Sequence, residues 1–143
     1  MYLDTAIVVK LLVRETDSAH YARLVDGQIA WSSQIVLTEC MSALLRKERE
    51  GTISPAHRRR VWRQVERDVA GARLNLVAVS TDLLASANAI LVSCHPNIAL
   101  RSLDAIHLAA ARECRSWPLC TNDERMRRAA LRLALPVCRL PGE

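Results

Sequence analysis

The chain has 143 residues, and 50% of them are hydrophobic, so we expect a single domain spanning residues 1–143 with a substantial core. No apolar run approaches the roughly 20 residues of a membrane span, and the N-terminus lacks a signal-peptide pattern, so we expect a cytoplasmic protein without a membrane partner. The five cysteines form no closely spaced pair, which argues against a zinc site or a disulfide framework. The net charge of +5 suits a polyanionic partner, but solvated helix faces explain it equally well.

The spacing of apolar residues predicts strands that alternate with helices along the chain. In the first half we predict a strand at 2–4, a helix through 7–12, a helix ending at 25, a strand at 29–32, a helix through 36–45, a helix from 55 to 69 and a strand at 74–79. In the second half we predict helices at 81–92 and 102–114, a strand at 119–121, a last long helix after 123 and a closing strand at 136–140. This alternation predicts a three-layer α/β/α domain with a mostly parallel central sheet of about five strands.

Four acidic residues fall at related positions in these predicted elements. Asp4 ends the first strand, and Asp123 follows the strand at 119–121. Glu39 lies early in the helix after the second strand, and Asp104 lies in the first turns of its helix. Ligands of open parallel sheets bind outside the carboxyl ends of the strands. We therefore expect the four acids to converge on one cleft.

Each acid also has an ordinary explanation when it is considered alone. Asp104 and Asp123 stand near helix starts, where a carboxylate satisfies free N–H groups and the helix dipole. Asp4 is compatible with a turn, and Glu39 with a solvated helix position. However, Asp4 and Asp104 have apolar neighbours, and a carboxylate in such surroundings needs a partner or a metal ion. A bound cation is the simplest explanation for all four.

Four segments that contain these acids carry a resemblance to a known family: Tyr2-Leu3-Asp4-Thr5, Leu37-Thr38-Glu39, Leu103-Asp104-Ala105-Ile106-His107-Leu108-Ala109-Ala110 and Thr121-Asn122-Asp123-Glu124-Arg125-Met126. The chain resembles the PIN-domain nucleases, most closely the VapC-type toxins of bacterial toxin–antitoxin pairs. The resemblance implies a PIN-like fold and an endoribonuclease that hydrolyses RNA phosphodiesters with a metal-activated water held by four carboxylates. One departure is Ala6, where such proteins often carry a small polar residue.

Oxygen ligands alone select hard cations, so we expect Mg²⁺ or Mn²⁺ as the cofactor. We expect Asp4 and Asp104 to bind the ion directly, and Asp123 and Glu39 to bind it directly or through water. The remaining candidates are support for the acids or the waters from Thr5, Thr121 and Asn122, and phosphate binding by Arg125 and Arg128. For the two arginines, plain solvation is an equal alternative. His107 shares the apolar stripe of its helix, so we expect a hydrogen-bonded core histidine rather than a general base.

The resemblance also implies partners: an RNA substrate, a cognate VapB-like antitoxin and a second copy of the chain. The homodimer would form through the helices at 36–45 and 55–69, whose aliphatic stripes suggest a helical clip. A housekeeping RNA-processing PIN nuclease is the alternative within the family. A receiver-like phospho-signalling domain is the alternative from another class, but it needs adjacent acids after the first strand and a late lysine. Here Asp4 stands alone, and the only lysines are Lys10 and Lys47.

Overall fold

The computed structural model describes residues 1–143 and contains four strands and seven helices. In chain order they are β1 (Tyr2–Leu3), α1 (Thr5–Leu12), α2 (Ser18–Val25), β2 (Ala30–Ser33), α3 (Ile35–Arg49), α4 (Pro55–Ala70), β3 (Leu74–Val77), α5 (Thr81–Cys94), α6 (Ser102–Cys114), β4 (Leu119–Cys120) and α7 (Glu124–Arg132). The strands form one sheet in the order β3-β2-β1-β4, and every pairing is parallel. The predicted α/β class with a parallel sheet is confirmed.

The core lies on both faces of this sheet because successive strand residues point in opposite directions. Tyr2 and Leu119 face a hydrophobic cluster built mainly from α5, α6 and α7. Their neighbours Leu3 and Cys120 face a second cluster, built mainly from α1, α3 and α4. Although β1 and β4 have only two residues each, helices cover both of their faces. The three layers of the predicted architecture are therefore present.

The closing strand predicted at 136–140 is reduced to a single bridge between Leu119 and Val137. Two backbone hydrogen bonds hold it: the Leu119 amide donates to the Pro136 carbonyl, and the Cys138 amide donates to the Leu119 carbonyl, each at 2.9 Å. Pro136 has no N–H to extend the ladder in one direction, and β4 is too short to extend it in the other. The sheet therefore has four strands and one bridged segment.

Local signals set the ends of several helices. Ser54 caps α4 by accepting a hydrogen bond from the His57 amide, and Pro55 occupies the first turn. Ser80 caps α5 in the same way through the Leu83 amide. All five cysteines are free thiols, and four of them are buried. None of the helices has both the length and the apolar character that crossing a membrane requires.

The two leucines at the start of α5 provide a matched test of the packing between α5 and the sheet. Leu83 is 1% exposed and Leu84 is 41% exposed. We expect Leu83→Ala to reduce the free energy of unfolding by about 2–5 kcal/mol, because it leaves a cavity in the core. Leu84→Ala should cost less than about 1 kcal/mol. Urea denaturation of both variants measures the difference, and equal losses would contradict this description of the core.

Candidate active site

The carboxylate of Asp4 lies where β1, β4 and α1 meet. The Asp4 amide donates to the Cys120 carbonyl at 3.1 Å, which places the residue at the carboxyl edge of the sheet. Its Oδ1 caps α1 by accepting from the Ile7 amide at 2.9 Å, and its Oδ2 accepts from the Thr121 hydroxyl. The residue is 5% exposed. Burial raises the pKa of Asp4, and the hydrogen bonds from Thr121 and Ile7 only partly offset that rise.

Glu39 reaches the same edge from the second turn of α3. Its Oε2 accepts hydrogen bonds from the Thr5 hydroxyl and from His107 Nε2, the latter at 2.8 Å. Burial acts to raise the pKa of Glu39, but the hydrogen bonds from His107 and Thr5 outweigh it and bring the pKa below its usual value. Glu39 therefore remains ionised at neutral pH, with its Oε1 free of hydrogen bonds.

His107 is buried, and it links Glu39 to the core. Its Nδ1 lies 2.8 Å from the hydroxyl of Tyr2, which is also fully buried. A proton on Nε2 lets the ring donate to Glu39 while Nδ1 accepts from the Tyr2 hydroxyl, so this placement satisfies both contacts. The prediction of a hydrogen-bonded core histidine is confirmed, but the contact with Glu39 was not foreseen. The only local signal was a polar residue in the apolar stripe of α6.

Asp104 and Asp123 stand at the starts of α6 and α7. Asp104 Oδ2 accepts from the Arg101 amide at 3.4 Å. Burial raises the pKa of Asp104, and the negative charge of Asp123 raises it further. Asp123 Oδ1 caps α7 by accepting from the Met126 amide at 3.0 Å. The capping roles that we considered for these residues are therefore real, and each uses one carboxylate oxygen.

The four acids lie at one edge of the sheet. Electrostatic coupling links Asp4 to Glu39 and Asp104 to Asp123. Thr121 connects the pairs, because its hydroxyl donates to Asp4 and accepts from the Asp123 amide at 3.1 Å. No group of three or more acidic, histidine or cysteine side chains is gathered closely enough to hold an ion. The structure brings the acids to one edge of the sheet, and their convergence on a single ion stays a prediction.

The donor chemistry of these residues nevertheless fits a hard divalent cation. No Lys or Arg forms an ion pair with Asp4, Glu39 or Asp104. A buried carboxylate without a positive partner is unfavourable, and carboxylate oxygen is the ligand that Mg²⁺ and Mn²⁺ prefer. Capping occupies one oxygen of Asp104 and one of Asp123, so each keeps a second oxygen that does not accept a backbone N–H.

The remaining predicted site residues differ in their surroundings. Thr5 and Thr121 contact acids directly, whereas Asn122 is exposed and lines a cleft of about 610 Å³ beside Glu39. Arg125 lies 3.6 Å from Asp123, and Arg128 donates to the Asn97 carbonyl at 3.4 Å. Both arginines therefore interact with their own chain.

A lysine partner for Asp4, which a receiver domain would need, is absent. Lys10 binds Glu15 and Asp17 at 2.8 and 2.7 Å. This arrangement leaves Asp4 without the cation that the phospho-signalling alternative requires.

Comparison with known proteins places these features in a family. Residues 1–131 match the model of the PIN domain. Ribonuclease VapC46 of Mycobacterium tuberculosis is 36% identical over 142 residues, which cover 96% of this chain and 95% of that protein. Ribonuclease VapC35 of the same species is 32% identical over 149 aligned positions, covering 100% of this chain and 98% of that protein.

Two solved structures share the fold. The crystal structure of M. tuberculosis VapC20, a toxin that cleaves the sarcin–ricin loop, aligns with a TM-score of 0.69 and 18% identity over 90% of this chain and 93% of VapC20. VapBC2 from Rickettsia felis, bound to a DNA fragment of its promoter, aligns with a TM-score of 0.64 and 16% identity, covering 96% of each chain. PIN-domain ribonucleases generally use divalent metal ions. The chain belongs to the PIN domain family, among its VapC ribonucleases.

Proposed function

We propose that this protein is a divalent-metal-dependent endoribonuclease, the toxin of a VapBC-type pair, formed by one PIN-like nuclease domain over residues 1–143. One observation carries the proposal. Asp4 is buried at the carboxyl edge of the sheet, hydrogen-bonded to Thr121 and coupled to Glu39, with no cation beside it. Such a carboxylate is suited to binding a metal ion, because its two hydrogen bonds offset the cost of burying its charge only in part.

We assign Asp4 and Asp104 as direct ligands of Mg²⁺ or Mn²⁺, and Glu39 and Asp123 as ligands that bind directly or through water. When bound, the ion supplies Lewis acidity at the scissile phosphate and favours the deprotonation of an attacking water. The chain itself holds the acids in place. Thr121 orients the Asp4 carboxylate by donating to Oδ2. Together with the caps on α1 and α7, these contacts reduce the reorganisation needed for substrate binding.

Thr5 and His107 orient the Glu39 carboxylate, as Thr121 orients that of Asp4. Both donate to Oε2, so the Glu39 charge persists at neutral pH and Oε1 is free to accept from a water or to bind the ion. Tyr2 in turn fixes the ring of His107. We propose that His107 is a positioning residue in this reaction and does not itself take the proton from water.

The proposed partners follow from the relatives. VapBC2 of R. felis is a toxin–antitoxin complex on promoter DNA, and by analogy we propose a VapB-like antitoxin for this chain. We also propose a homodimer through α3 and α4. Val61 and Val65 of α4 pack inside their own chain, so the contact between copies must use other residues, among which Leu45 of α3 is an exposed apolar candidate. Because the substrate is RNA, we place the enzyme in the cytoplasm.

Removal of the two proposed direct ligands tests the metal site. We expect the Asp4→Asn, Asp104→Asn variant to lose RNA cleavage by at least roughly 100-fold, because neutral amides bind a divalent ion weakly. The assay incubates structured RNAs, including tRNA and rRNA loops, with Mg²⁺, Mn²⁺ or EDTA.

Asp82→Asn is the matched control, because Asp82 is an exposed residue in the first turn of α5. It should cleave like the wild-type protein in Mg²⁺, and EDTA should abolish cleavage by both. Cleavage that persists in EDTA, or in the double variant, would exclude the proposed mechanism.

The hydroxyl of Thr121 provides a second test of the site, because it donates a hydrogen bond to Asp4 but is not itself a proposed metal ligand. Thr121→Val removes the donor and should lower kcat/KM by roughly 10- to 100-fold and weaken the apparent affinity for Mg²⁺. Thr121→Ser retains the donor and should restore most of the activity. Melting temperatures of both variants serve as the control for folding. If the two variants cleave equally well, Thr121 does not position Asp4.

A further inference from the structure

A cleft of about 610 Å³ lies beside Glu39 and is lined mostly by polar and charged side chains. Thr5, Glu39 and Asn122 line it near the proposed metal site. Three arginines, Arg46, Arg49 and Arg101, also line it, and we call these three side chains the arginine wall. We infer that the arginine wall binds the phosphates of the RNA strand that flank the cleaved bond. This inference rests on the proposed function and assigns the path of its substrate.

The other cations in the cleft are already neutralised. Lys10 binds Glu15 and Asp17, and Lys47 binds Glu15 at 2.7 Å. The side chains of the two lysines are only 12% and 15% exposed. These lysines therefore hold the loop between α1 and α2 in place and have little charge to offer a ligand.

The arginines of the wall lack such partners. Arg49 and Arg101 are exposed and form no ion pair. Arg46, whose side chain is 64% exposed, approaches only Glu50, at 4.0 Å. An exposed pair at that distance contributes little to stability. Three guanidinium groups are thus available to form bidentate contacts with phosphate.

The spacing of these residues on α3 connects them to the acids. Residues three or four positions apart share one face of a helix, and Glu39, Ser42, Arg46 and Arg49 follow that spacing. Arg46 and Arg49 therefore lie about 10 and 15 Å from Glu39 along the helix axis. Ser42 and Ala43 line the cleft between them, and their small side chains leave room for a strand.

Arg101 continues the wall from a second element. It directly precedes α6, and its positive charge acts to lower the pKa of Asp104. The wall therefore lies beside Glu39 of α3, and its Arg101 acts on Asp104 of α6. A strand whose phosphodiester reaches the acids would place its neighbouring phosphates beside these arginines.

The arginines of α7 are less suited to this role. Arg127 donates to the Cys138 carbonyl at 2.7 Å, and Arg132 donates to the Ser93 carbonyl at 2.9 Å. Arg125 and Arg128 contact Asp123 and Asn97. Arg127, Arg128 and Arg132 thus hold α7 against the rest of the chain, whereas Arg125 contacts the cap of its own helix. The structure therefore favours a substrate path along α3 over the path along α7 that the sequence suggested.

The test measures binding in the non-cleaving Asp4→Asn, Asp104→Asn background, with a short fluorescent single-stranded RNA at several salt concentrations. Each lost phosphate contact should reduce the magnitude of the slope of log K against log salt by about 0.7. The slope of the triple variant Arg46→Gln, Arg49→Gln, Arg101→Gln should therefore be smaller in magnitude by about 2 than that of the background protein. Replacement of the same residues by lysine should retain most of the slope, since the charge remains.

Two controls make the result specific. Arg59→Gln, Arg60→Gln, Arg63→Gln removes the same charge from exposed positions of α4 and should leave the slope nearly unchanged. Arg125→Gln, Arg128→Gln tests the path along α7. The inference is overturned if the wall variant and the α4 variant behave alike, or if the α7 variant has the larger effect. RNA cleavage by the protein that retains all four acids is measured separately. This measurement distinguishes failure of the proposed nuclease function from failure of the arginine wall to bind RNA.

Discussion

The arrangement of the site depends on the burial of one carboxylate, that of Asp4. Its backbone joins β1 to β4 through the Cys120 carbonyl, and its side chain begins α1 and accepts the Thr121 hydroxyl. A negative charge in the protein interior is unfavourable unless hydrogen bonds or a cation compensate it. Here two hydrogen bonds compensate in part, and the raised pKa reflects what they leave uncompensated. A bound cation would stabilise the ionised carboxylate and place a Lewis acid at the carboxyl edge of the sheet.

The residues that cap helices in this protein are also the ones we propose as ligands. Asp4, Asp104 and Asp123 each accept a backbone N–H at the start of a helix, so α1, α6 and α7 all direct their N-termini toward one edge. The positive ends of the helix dipoles favour carboxylates there even without metal. The acids are thereby held near the substrate cleft at little cost in side-chain entropy. Glu15 and Asp17 together neutralise Lys10 and Lys47, so the free positive charge in the cleft beside Glu39 belongs to arginines.

Much of the fold was predictable because its signals are local. Helical spacing, serine caps before α4 and α5, and short aliphatic strands identified each helix and the four strands of the sheet. The position of Asp4 after β1 and of Asp123 after β4 also follows from sequence, since parallel strands end at one edge. The closing strand was overpredicted, because its apolar residues at 136–140 make only a bridge at Val137.

The sequence alone determined the order of the elements, the two-sided burial of the strands and the identity of the acids, because periodicity and capping act over a few residues. Only the tertiary structure decided which side chains meet. Tyr2, Glu39 and His107 come from distant parts of the chain, and nothing local indicates that the histidine joins the other two. The electrostatic effect of Asp123 on Asp104 and the contact of Arg128 with Asn97 depend likewise on how α6 and α7 pack against the sheet. Contacts of this kind arise from the order of the strands and the packing of the helices, which no single segment encodes.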